Sequence, residues 1–495
     1  MSSISNSSMV MNAASSQEEL ERLAARVRDD LARIGYATGE WSIPRLKSEN
    51  RVLDVAIIGA GQGGLAACFA LRRLGVTNVE VFDRAHTGQE GPWTTFARMI
   101  TLRTPKHVTG PDLGIPSLTL QSWYEARCGT LAWQALNKIS REDWQSYLDW
   151  LRATLSLPIQ NDSCLVDVGW RDGLLRLTFE SEGGKRTERW ARKLILATGI
   201  DGGGAWHVPD FIIQSLQPSR YAHTSQQIDF NALRGRRVGV LGAGASAFDN
   251  AATALEHGAA SVDLCLRRKA IPAVNPYRWM ENAGFLGHFP DLPDETRWRF
   301  MHRIYDLNQP PPQETFWRCR QHGNFTFHPG TPWLSVRDDG EKGIIVVTPH
   351  GEMSFDFLII GTGFVLDLMR RPETRSFADA VALWRDRFVP PQGQSSSLLG
   401  SHPYLGTRFQ FLPRDAGDPR APMLNAIHNF TFSAMPSMGL SGASISGMRF
   451  GVDRLARGVA RDLFVEDGER HLQSFLSYDV TELVSLDPPD AAHAI

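Results

Sequence analysis

The feature that most constrains the fold is the segment DVAIIGAGQGG at residues 54–64, an apolar run that ends in a glycine-rich turn. A short apolar run of this kind is typical of a buried parallel strand, and the residues after it have the pattern of a helix. Gly59 permits the sharp turn, Gly61 lets the backbone approach a pyrophosphate, and Gly64 lets the helix pack closely on the strand. Because the N-terminus of that helix would face the phosphate charge, the segment predicts a dinucleotide-binding turn.

A second strand, residues 79–83, follows the helix and ends in a carboxylate. Asp83 lies about 20 residues beyond Gly64, where an acidic residue accepts hydrogen bonds from the ribose of the dinucleotide. We therefore predict that Asp83, and Arg84 beside it, contact the nucleotide. A glycine pattern alone is weak support, because glycine-rich turns are common in loops. Here the order of strand, turn, helix, second strand and acid favours the dinucleotide.

A second turn of the same kind occurs at residues 237–247, RVGVLGAGASA. Ala247 replaces the third glycine, which is a permitted variant of the pattern. We predict that Gly242, Gly244 and Ser246 contact a second dinucleotide.

The strand after the second turn, residues 261–266, ends in Arg267 and Arg268 rather than in an acid. Cations at this place accommodate the 2′-phosphate of NADPH, so NADPH is favoured over NADH. The alternative is a solvated basic turn, because consecutive cations at the end of a strand are not rare.

Two turns with different endings indicate two dinucleotides on two related domains, FAD on the first and NADPH on the second. Apolar strands at residues 343–348 and 356–360 return the chain toward the first domain. The predicted fold class is therefore α/β, with two Rossmann-like dinucleotide-binding domains and the FAD domain interrupted by the NADPH domain. The two crossings between the domains have small residues that let the chain pass close to a nucleotide, namely Thr198, Gly199, Thr362 and Gly363.

The predicted organisation has six parts. A capping-box pattern, S-x-x-E at residues 16–19, sets the start of the first helix at residue 17. The parts are a disordered tail (1–16), a helix and lead-in (17–50), the first part of the FAD domain (51–200), the NADPH domain with a Trp- and Pro-rich insertion (201–340), the second part of the FAD domain (341–465) and a C-terminal tail (466–495).

Composition excludes several classes of partner and site. The chain of 495 residues is longer than one hydrophobic core usually serves, and its net charge of −2 gives no sign of a nucleic-acid partner. The five cysteines form no C-x-x-C pair and no cluster at metal-ligand spacing, so no metal site is predicted. The N-terminus has no secretory signal, and glycines interrupt the one long apolar stretch, residues 55–71. We expect a soluble cytoplasmic protein that acts on a small molecule, and a homo-oligomer is left open.

Several segments outside the two turns are candidates for pocket walls. Trp93 and the run at residues 98–106 follow the first nucleotide strand, and longer irregular segments occupy residues 271–336 and 370–422. Segments of this length are often lids or pocket walls, although peripheral packing or a subunit contact would also explain them. Ser441 precedes a helix whose N-terminus could stabilise a reduced flavin ring.

The ordered set of motifs resembles the class B flavin monooxygenases, which include flavin-containing, N-hydroxylating and Baeyer–Villiger monooxygenases. The two glycine turns, Trp93 in a G-x-W, the ATG at residues 197–199 and the GTGF at residues 361–364 contribute to this resemblance, which covers roughly residues 50 to 465. His223 matches a histidine of these families, but the expected Phe and Gly before it are Gln217 and Ser219.

The resemblance implies that NADPH reduces FAD, that O₂ adds to the reduced ring as a C4a-(hydro)peroxyflavin, and that one oxygen atom enters a small organic substrate. Arg103 stands where flavin-containing monooxygenases have a pocket Asn, and a cation there would favour attack on ketones. Arg103 and Trp93 are the candidate catalytic residues, and His223 is a candidate cofactor contact.

Three other functions fit parts of the sequence. A flavin disulfide reductase would share both turns, but it needs a redox cysteine pair that the sequence lacks. A non-catalytic flavin-binding protein would have no use for the Arg267–Arg268 site. An NAD(P)H-dependent flavin oxidase or dehydrogenase without oxygen insertion shares every motif.

Overall fold

The computed structural model describes residues 13–37, 39–108 and 110–483. Most of the predicted N-terminal tail and the last 12 residues lie outside the described residues. The strands in chain order are β1 (Leu46–Lys47), β2 (Asn50–Arg51), β3 (Leu53–Ile58), β4 (Val79–Phe82), β5 (Ile159–Gln160), β6 (Cys164–Arg171), β7 (Leu174–Glu180), β8 (Arg186–Leu196), β9 (Gly204–Trp206), β10 (Tyr221–His223), β11 (Arg237–Leu241), β12 (Ser261–Leu266), β13 (Phe325–Pro329), β14 (Ser335–Asp338), β15 (Ile344–Thr348), β16 (Gly351–Phe355), β17 (Phe357–Ile360), β18 (Phe364–Leu366) and β19 (Ile427–Asn429).

The α-helices lie between these strands and after the last of them. In chain order they are α1 (Ala13–Arg33), α2 (Gln62–Arg73), α3 (Leu120–Cys128), α4 (Thr130–Ala135), α5 (Arg141–Thr154), α6 (Asp210–Ile213), α7 (Ala245–Glu256), α8 (Pro276–Met280), α9 (Ala283–His288), α10 (Asp294–Leu307), α11 (Gln313–Arg320), α12 (Pro372–Arg375), α13 (Trp384–Arg387), α14 (Ser397–Gly400), α15 (Ala421–Asn425), α16 (Met435–Met438), α17 (Ile445–Glu466) and α18 (Gly468–Leu476).

The first sheet has the strand order β5-β4-β3-β8-β7-β6, and β19 also pairs with β8. Strand β3 is buried along its whole length, as expected for a parallel strand covered on both faces. The sequence of residues 163–179 predicts a β-hairpin around residues 171–173, and this hairpin forms as β6 and β7, which are antiparallel. Strand β8 is long because it pairs with β7 through its exposed first half and with β3 and β19 through its buried second half. The sheet is thus parallel where the first glycine turn lies.

The second sheet has the order β10-β17-β11-β12-β13, and all of its strands are parallel. Helices α7 and α11 pack together beside this sheet, and the antiparallel sheet β14-β15-β16 packs through Val336, Val346 and Phe355 against other residues of the same core. The second sheet is inserted between β8 and β19 of the first, which confirms the α/β class and the interrupted first domain.

The predicted boundary at residue 340 is wrong. Strands β15, β16 and β17 belong to the second domain, because β17 pairs with both β10 and β11 in the middle of its sheet. The apolar runs at residues 343–348 and 356–360 identified the strands correctly, but the pairing partners of β17 are distant in the chain. The return to the first domain therefore comes after Ile360 rather than after residue 340.

A short antiparallel ribbon of β9 and β18 joins the two crossings between the domains. Gly204 of β9 lies opposite Leu366 of β18, and a Cβ atom on Gly204 would overlap the carbonyl oxygen of Val365. Only glycine permits this approach. The ribbon therefore joins the two connecting segments where the chain passes between the domains.

The two long irregular segments pack against each other as a helical layer. Phe289, Trp298 and Met301 from the insertion in the second domain share a core with Trp384 and Met435 of the first domain. Arg297 donates from Nη1 to the carbonyl of Ser437 at 2.9 Å. This helical layer, residues 276–320 together with 384–440, is a contact between the domains.

Both ends of the chain have more helix than we predicted. Helix α1 begins at Ala13, so Ser16 lies inside the helix and its Oγ donates to the carbonyl of Arg127 at 2.8 Å instead of capping a helix start. The predicted disordered tail is therefore wrong for residues 13–16. Helix α18 likewise occupies part of the predicted C-terminal tail. Within the described residues, no helix is apolar over a length that would cross a membrane.

A buried charge network ties the end of α17 to the first sheet. Arg192 of β8 is 1 % exposed, and its Nη1 lies 3.2 Å from Asp54 Oδ1 while its Nη2 lies 2.7 Å from Asp467 Oδ2. Ser42 donates to Asp54 at 2.6 Å, and Arg45 donates to Asp467 at 2.9 Å. Arg192 is the cation that the two buried carboxylates share, and Arg45 adds a second cation at Asp467.

We expect Arg192→Met to lower the free energy of unfolding by about 3–5 kcal/mol, because it leaves Asp54 and Asp467 buried without their shared cation. Urea unfolding followed by circular dichroism measures the change. The matched control is Arg337→Met, which breaks an exposed pair with Glu352 and should change the free energy of unfolding much less, because solvent screens that pair. Equal losses in the two variants would contradict the assignment.

Candidate active site

The first glycine turn has three glycines with three different surroundings. Gly59 has a positive φ of 103°, and a Cβ atom there would lie 2.5 Å from the carbonyl oxygen of Ala197. A Cβ atom on Gly64 would overlap the carbonyl oxygen of Gly59. Gly61 has no atom within 4 Å of its Cβ position and a φ of −70°, which any residue can adopt. Contacts within the protein thus require glycine at positions 59 and 64. No such contact requires Gly61, and its open surroundings leave space for a ligand.

Asp83 lies at the end of β4, and its carboxylate braces the first turn. Its Oδ2 accepts from the amide of Ala60 at 2.7 Å, and its Oδ1 accepts from the amide of Ala85 at 2.8 Å. Burial raises the pKa of Asp83, and the two amide hydrogen bonds oppose that shift. Each oxygen keeps a further lone pair that a ribose hydroxyl can use. Arg84 is exposed beside it.

Trp93 is half-buried in a cluster that reaches the start of α2. Its ring packs edge-on against Trp144 at 6.3 Å between centroids, and Trp144 donates from Nε1 to Gln62 at 3.3 Å. Arg141 holds the backbone of Trp93 by donating to its carbonyl at 2.7 Å. The structure therefore places Trp93 near the first turn.

The N-terminus of α17 meets the first turn from the other side. The Cβ position of Gly63 in α2 lies 3.0 Å from the carbonyl oxygen of Gly442, and Ser441 is 5 % exposed. Thr198, at the end of β8, has a buried Oγ1 without a hydrogen-bond partner in the described part of the chain, and Gly199 opens onto free space. These residues surround the open side of the turn, so the group that fits there is a nucleotide with hydrogen-bonding hydroxyls or carbonyls.

The second turn repeats the geometry of the first. Gly242 has a φ of 110°, and a Cβ atom there would overlap the carbonyl oxygen of Gly361. Gly244 has nothing within 4 Å of its Cβ position, and Ser246 after it is exposed. Ala247, in the place of the third glycine, packs on Gly361. The second turn is therefore also open at its middle glycine.

Arg267 and Arg268 are both exposed at the end of β12, beside the second turn. Arg268 donates from Nη1 to the carbonyl of Asp306 at 3.3 Å, and Gly242 donates to the carbonyl of Cys265 at 2.9 Å. The short hydrogen-bonded link between β12 and the turn keeps these cations close to the second glycine turn, and their contact with a nucleotide stays a prediction.

His223 is the last residue of β10, beside the ribbon that joins the two crossings, and is 2 % exposed. Its Nδ1 accepts from the amide of Ser225 at 3.1 Å, and its ring lies 5.3 Å from that of Trp206 in the ribbon. Burial lowers the pKa of His223 to about 4, so the imidazole is neutral at neutral pH. This position suits a residue that packs beside the ribbon, and contact with a cofactor stays a prediction.

Thr362 and Gly363 lie at the second crossing. Thr362 donates from Oγ1 to the carbonyl of His207, and Gly363 has a positive φ of 77° with open space at its Cβ position. Both residues adjoin Gly361, which covers the second turn. The structure thus groups them with the second nucleotide site.

A cavity of about 530 Å³ lies between the first domain and the insertion in the second. Arg103 lines it and forms an ion pair with Asp249 of α7 at 3.5 Å. Trp93 is not among its lining residues, so the structure separates the two candidate catalytic residues. The lining residues are Arg103, Lys138, Ile271, Pro272, Ala273, Asn275, Arg278, Gln309, Pro310, Pro311, Pro312, Gln313, Glu314 and Phe316.

Sequence patterns missed Asp249, Arg278 and Lys138 as members of this region. Asp249 is an acid among the small and apolar residues of α7, and its 2 % exposure is the feature that singles it out. A buried carboxylate on an otherwise apolar helix face signals a charged partner, but the sequence does not say that this partner is Arg103.

The comparisons with known proteins agree with this geometry. A family model described as pyridine nucleotide-disulphide oxidoreductase matches residues 56–281. An FAD-dependent urate hydroxylase from Xanthomonas campestris pv. campestris is 45 % identical over 471 residues, which is 95 % of this chain and 98 % of that protein. The chain belongs to the family of flavin-dependent monooxygenases. The monooxygenase fold also resembles a reduced ornithine hydroxylase from Pseudomonas aeruginosa, with a TM-score of 0.64, 16 % identity and coverage of 83 % of this chain and 100 % of that chain.

Membership in this family confirms the predicted enzyme class and the resemblance to class B flavin monooxygenases. The L-lysine 6-monooxygenase from Pseudomonas syringae has the same fold, with a TM-score of 0.60, 17 % identity and coverage of 83 % of this chain and 99 % of that chain. The five cysteines of the monooxygenase are free and have no C-x-x-C spacing, and the residues that match the disulphide oxidoreductase model include both glycine turns.

We expect Gly61→Ala to keep the fold but to lower FAD content, because the new methyl group meets no protein atom and would occupy the space beside the pyrophosphate. The affinity for FAD should fall by roughly tenfold or more, judged from the usual cost of overpacking. The flavin-to-protein absorbance ratio after FAD titration measures the effect.

Two variants complete this test. Gly183→Ala is the matched control, since Gly183 also has open space around it but lies in the exposed turn after β7. Gly64→Ala should instead destabilise the whole protein, because its methyl group overlaps backbone. Full FAD binding by Gly61→Ala would show that the pyrophosphate lies elsewhere.

Proposed function

We propose that this monooxygenase is an FAD- and NADPH-dependent urate hydroxylase that inserts one oxygen atom from O₂ into urate. The substrate is that of the relative from Xanthomonas campestris, which is similar along nearly its whole length. The observation that most supports two dinucleotides is the pair of glycine turns, each closed by protein at its first glycine and open at its second.

The chain offers FAD and NADPH different surroundings. Asp83 and the N-termini of α2 and α17 would hold the ribose and phosphates of FAD, where helix N-termini favour negative charge. Arg267 and Arg268 would hold the 2′-phosphate of NADPH. When bound, FAD accepts a hydride from NADPH and activates O₂, while the protein orients the reactants and excludes water.

The cavity between the domains supports a small anionic substrate. Arg103, Lys138 and Arg278 line it with one carboxylate, that of Glu314, which pairs with Lys138. The amide side chains of Asn275, Gln309 and Gln313 also line it. Urate is a planar monoanion at neutral pH with carbonyl and N–H groups around its edge. Cations and amides are the groups that such a molecule would pair with on burial.

We also propose that the enzyme works in the cytoplasm. Free thiols such as those of its five cysteines are typical of reducing compartments, and NADPH is a cytoplasmic reductant.

Purified enzyme loaded with FAD should consume NADPH and O₂ in equal amounts when urate is added, and the product should contain one labelled oxygen atom when labelled O₂ is supplied. Mass spectrometry and an oxygen electrode measure both quantities. The control is the same reaction with a neutral purine. Stoichiometric hydrogen peroxide whatever substrate is offered would contradict oxygen insertion and favour a simple NADPH oxidase.

Changing Arg267 and Arg268 together to Ala should raise the KM for NADPH by an amount equivalent to about 1–3 kcal/mol, because charged hydrogen bonds to the 2′-phosphate are lost. The KM for NADH should change little, since NADH lacks this phosphate. The matched control removes another adjacent pair of exposed cations, Lys185 and Arg186. An unchanged preference between NADPH and NADH would place the 2′-phosphate elsewhere.

A further inference from the structure

Three cations line the cavity between the domains, and each of them lies near a carboxylate of the protein. Arg278 donates from Nη1 to Glu281 at 3.0 Å and from Nη2 to the carbonyl of Arg103 at 2.9 Å. Lys138 forms an ion pair with Glu314. The charges of Arg278 and Lys138 are therefore compensated by the protein.

The third cation, Arg103, has donors that the protein leaves unused. Its Nε is buried and has no hydrogen-bond partner in the part of the chain that the structure describes. Its Nη2 lies 3.5 Å from Asp249 Oδ2, which engages a single corner of the guanidinium. A buried donor without an acceptor is costly. The cavity that Arg103 lines is the place from which an acceptor can come.

The shape of these donors selects the acceptor. A guanidinium presents parallel N–H groups in a rigid planar fork that matches two adjacent acceptors on a planar anion. We propose that the cavity is the substrate site and that Arg103 binds the anionic edge of a planar heterocycle through Nε and an adjacent Nη. The identification of that heterocycle as urate rests on the proposed function, whereas its charge and planarity follow from Arg103.

Asp249 is the positioning residue for this fork. Its side chain is 3 % exposed, and Oδ1 accepts from Thr315 at 3.0 Å and lies 3.6 Å from Arg318. Only Oδ2 faces Arg103, so the carboxylate aims the guanidinium without occupying its Nε. Arg278 fixes the backbone of Arg103 from the other side. Because Asp249 is on α7, the fork is oriented by the second domain.

The test uses the FAD-loaded enzyme and measures the Kd for urate by equilibrium dialysis, together with the rate of flavin reduction by NADPH without urate. Arg103→Ala should raise the Kd about tenfold to a hundredfold, the usual effect of a lost charged hydrogen bond. Arg103→Lys should lose part of the affinity, because it keeps the charge but not the fork. The fold-change in Kd should exceed the fold-change in the rate of flavin reduction, because the proposed contact of Arg103 is with urate and not with NADPH. Arg186→Ala, on exposed strand β8, is the control and should change neither quantity.

A double-mutant cycle tests the role of Asp249. Asp249→Asn should raise the Kd for urate in the wild-type background and should add no further change to Arg103→Ala, since it acts through Arg103. If Asp249 were merely structural, Asp249→Asn would weaken urate binding, slow flavin reduction, or both, in either background.

The outcomes separate this inference from the proposed function. Urate turnover with an unchanged Kd in Arg103→Ala would overturn the inference and leave the function standing. Urate binding that Arg103→Ala weakens, but without oxygenation, would overturn the function and support the inference. Absence of urate binding to the wild-type enzyme would overturn both.

Discussion

The constraint on which the structure depends is the contact of a carbonyl group with the first glycine of each nucleotide turn. The carbonyl of Ala197 packs on Gly59, and that of Gly361 packs on Gly242. Both carbonyls belong to the residue after a buried parallel strand, so each domain closes its own turn with the strand that leads to the other domain. The crossings therefore lie beside the two glycine turns. Strands β9 and β18 of the ribbon come after the two crossings along the chain.

Helix α17 links the first turn to the far end of its sheet. Its N-terminus adjoins Gly63 through Gly442, and its C-terminal end adjoins the buried network of Arg192. The carbonyl of Leu463 in the last turn of the helix accepts from Arg192 at 3.2 Å, which places a cation where the helix dipole is negative. The contacts of Arg192 with the C-terminal end of α17 thus help to hold the N-terminal end of this helix beside the first glycine turn.

Local patterns in the sequence predicted the local parts of the structure. The glycine turns, the strands beside them and the hairpin of β6 and β7 each depend on residues that are close in the chain, and all of them form. The sequence could not predict the sheet in which β17 lies or the partner of Arg103, because both depend on packing between segments more than a hundred residues apart. The two candidate catalytic residues show the same limit, since only the fold reveals that Trp93 and Arg103 occupy different surroundings.

Contacts of three kinds hold the second domain against the first. The ribbon joins the crossings, the helical layer packs Trp298 against Trp384, and Arg103 pairs with Asp249. A rotation about the ribbon would expose the apolar core of the helical layer, at a cost of roughly 1.5–3 kcal/mol for each large side chain uncovered. The apolar contacts of the helical layer therefore oppose a rotation of one domain against the other. Among these contacts the Arg103–Asp249 pair is the most polar, and Arg103 lines the cavity. An anion bound there would contact Arg103 without changing the apolar contacts between the domains.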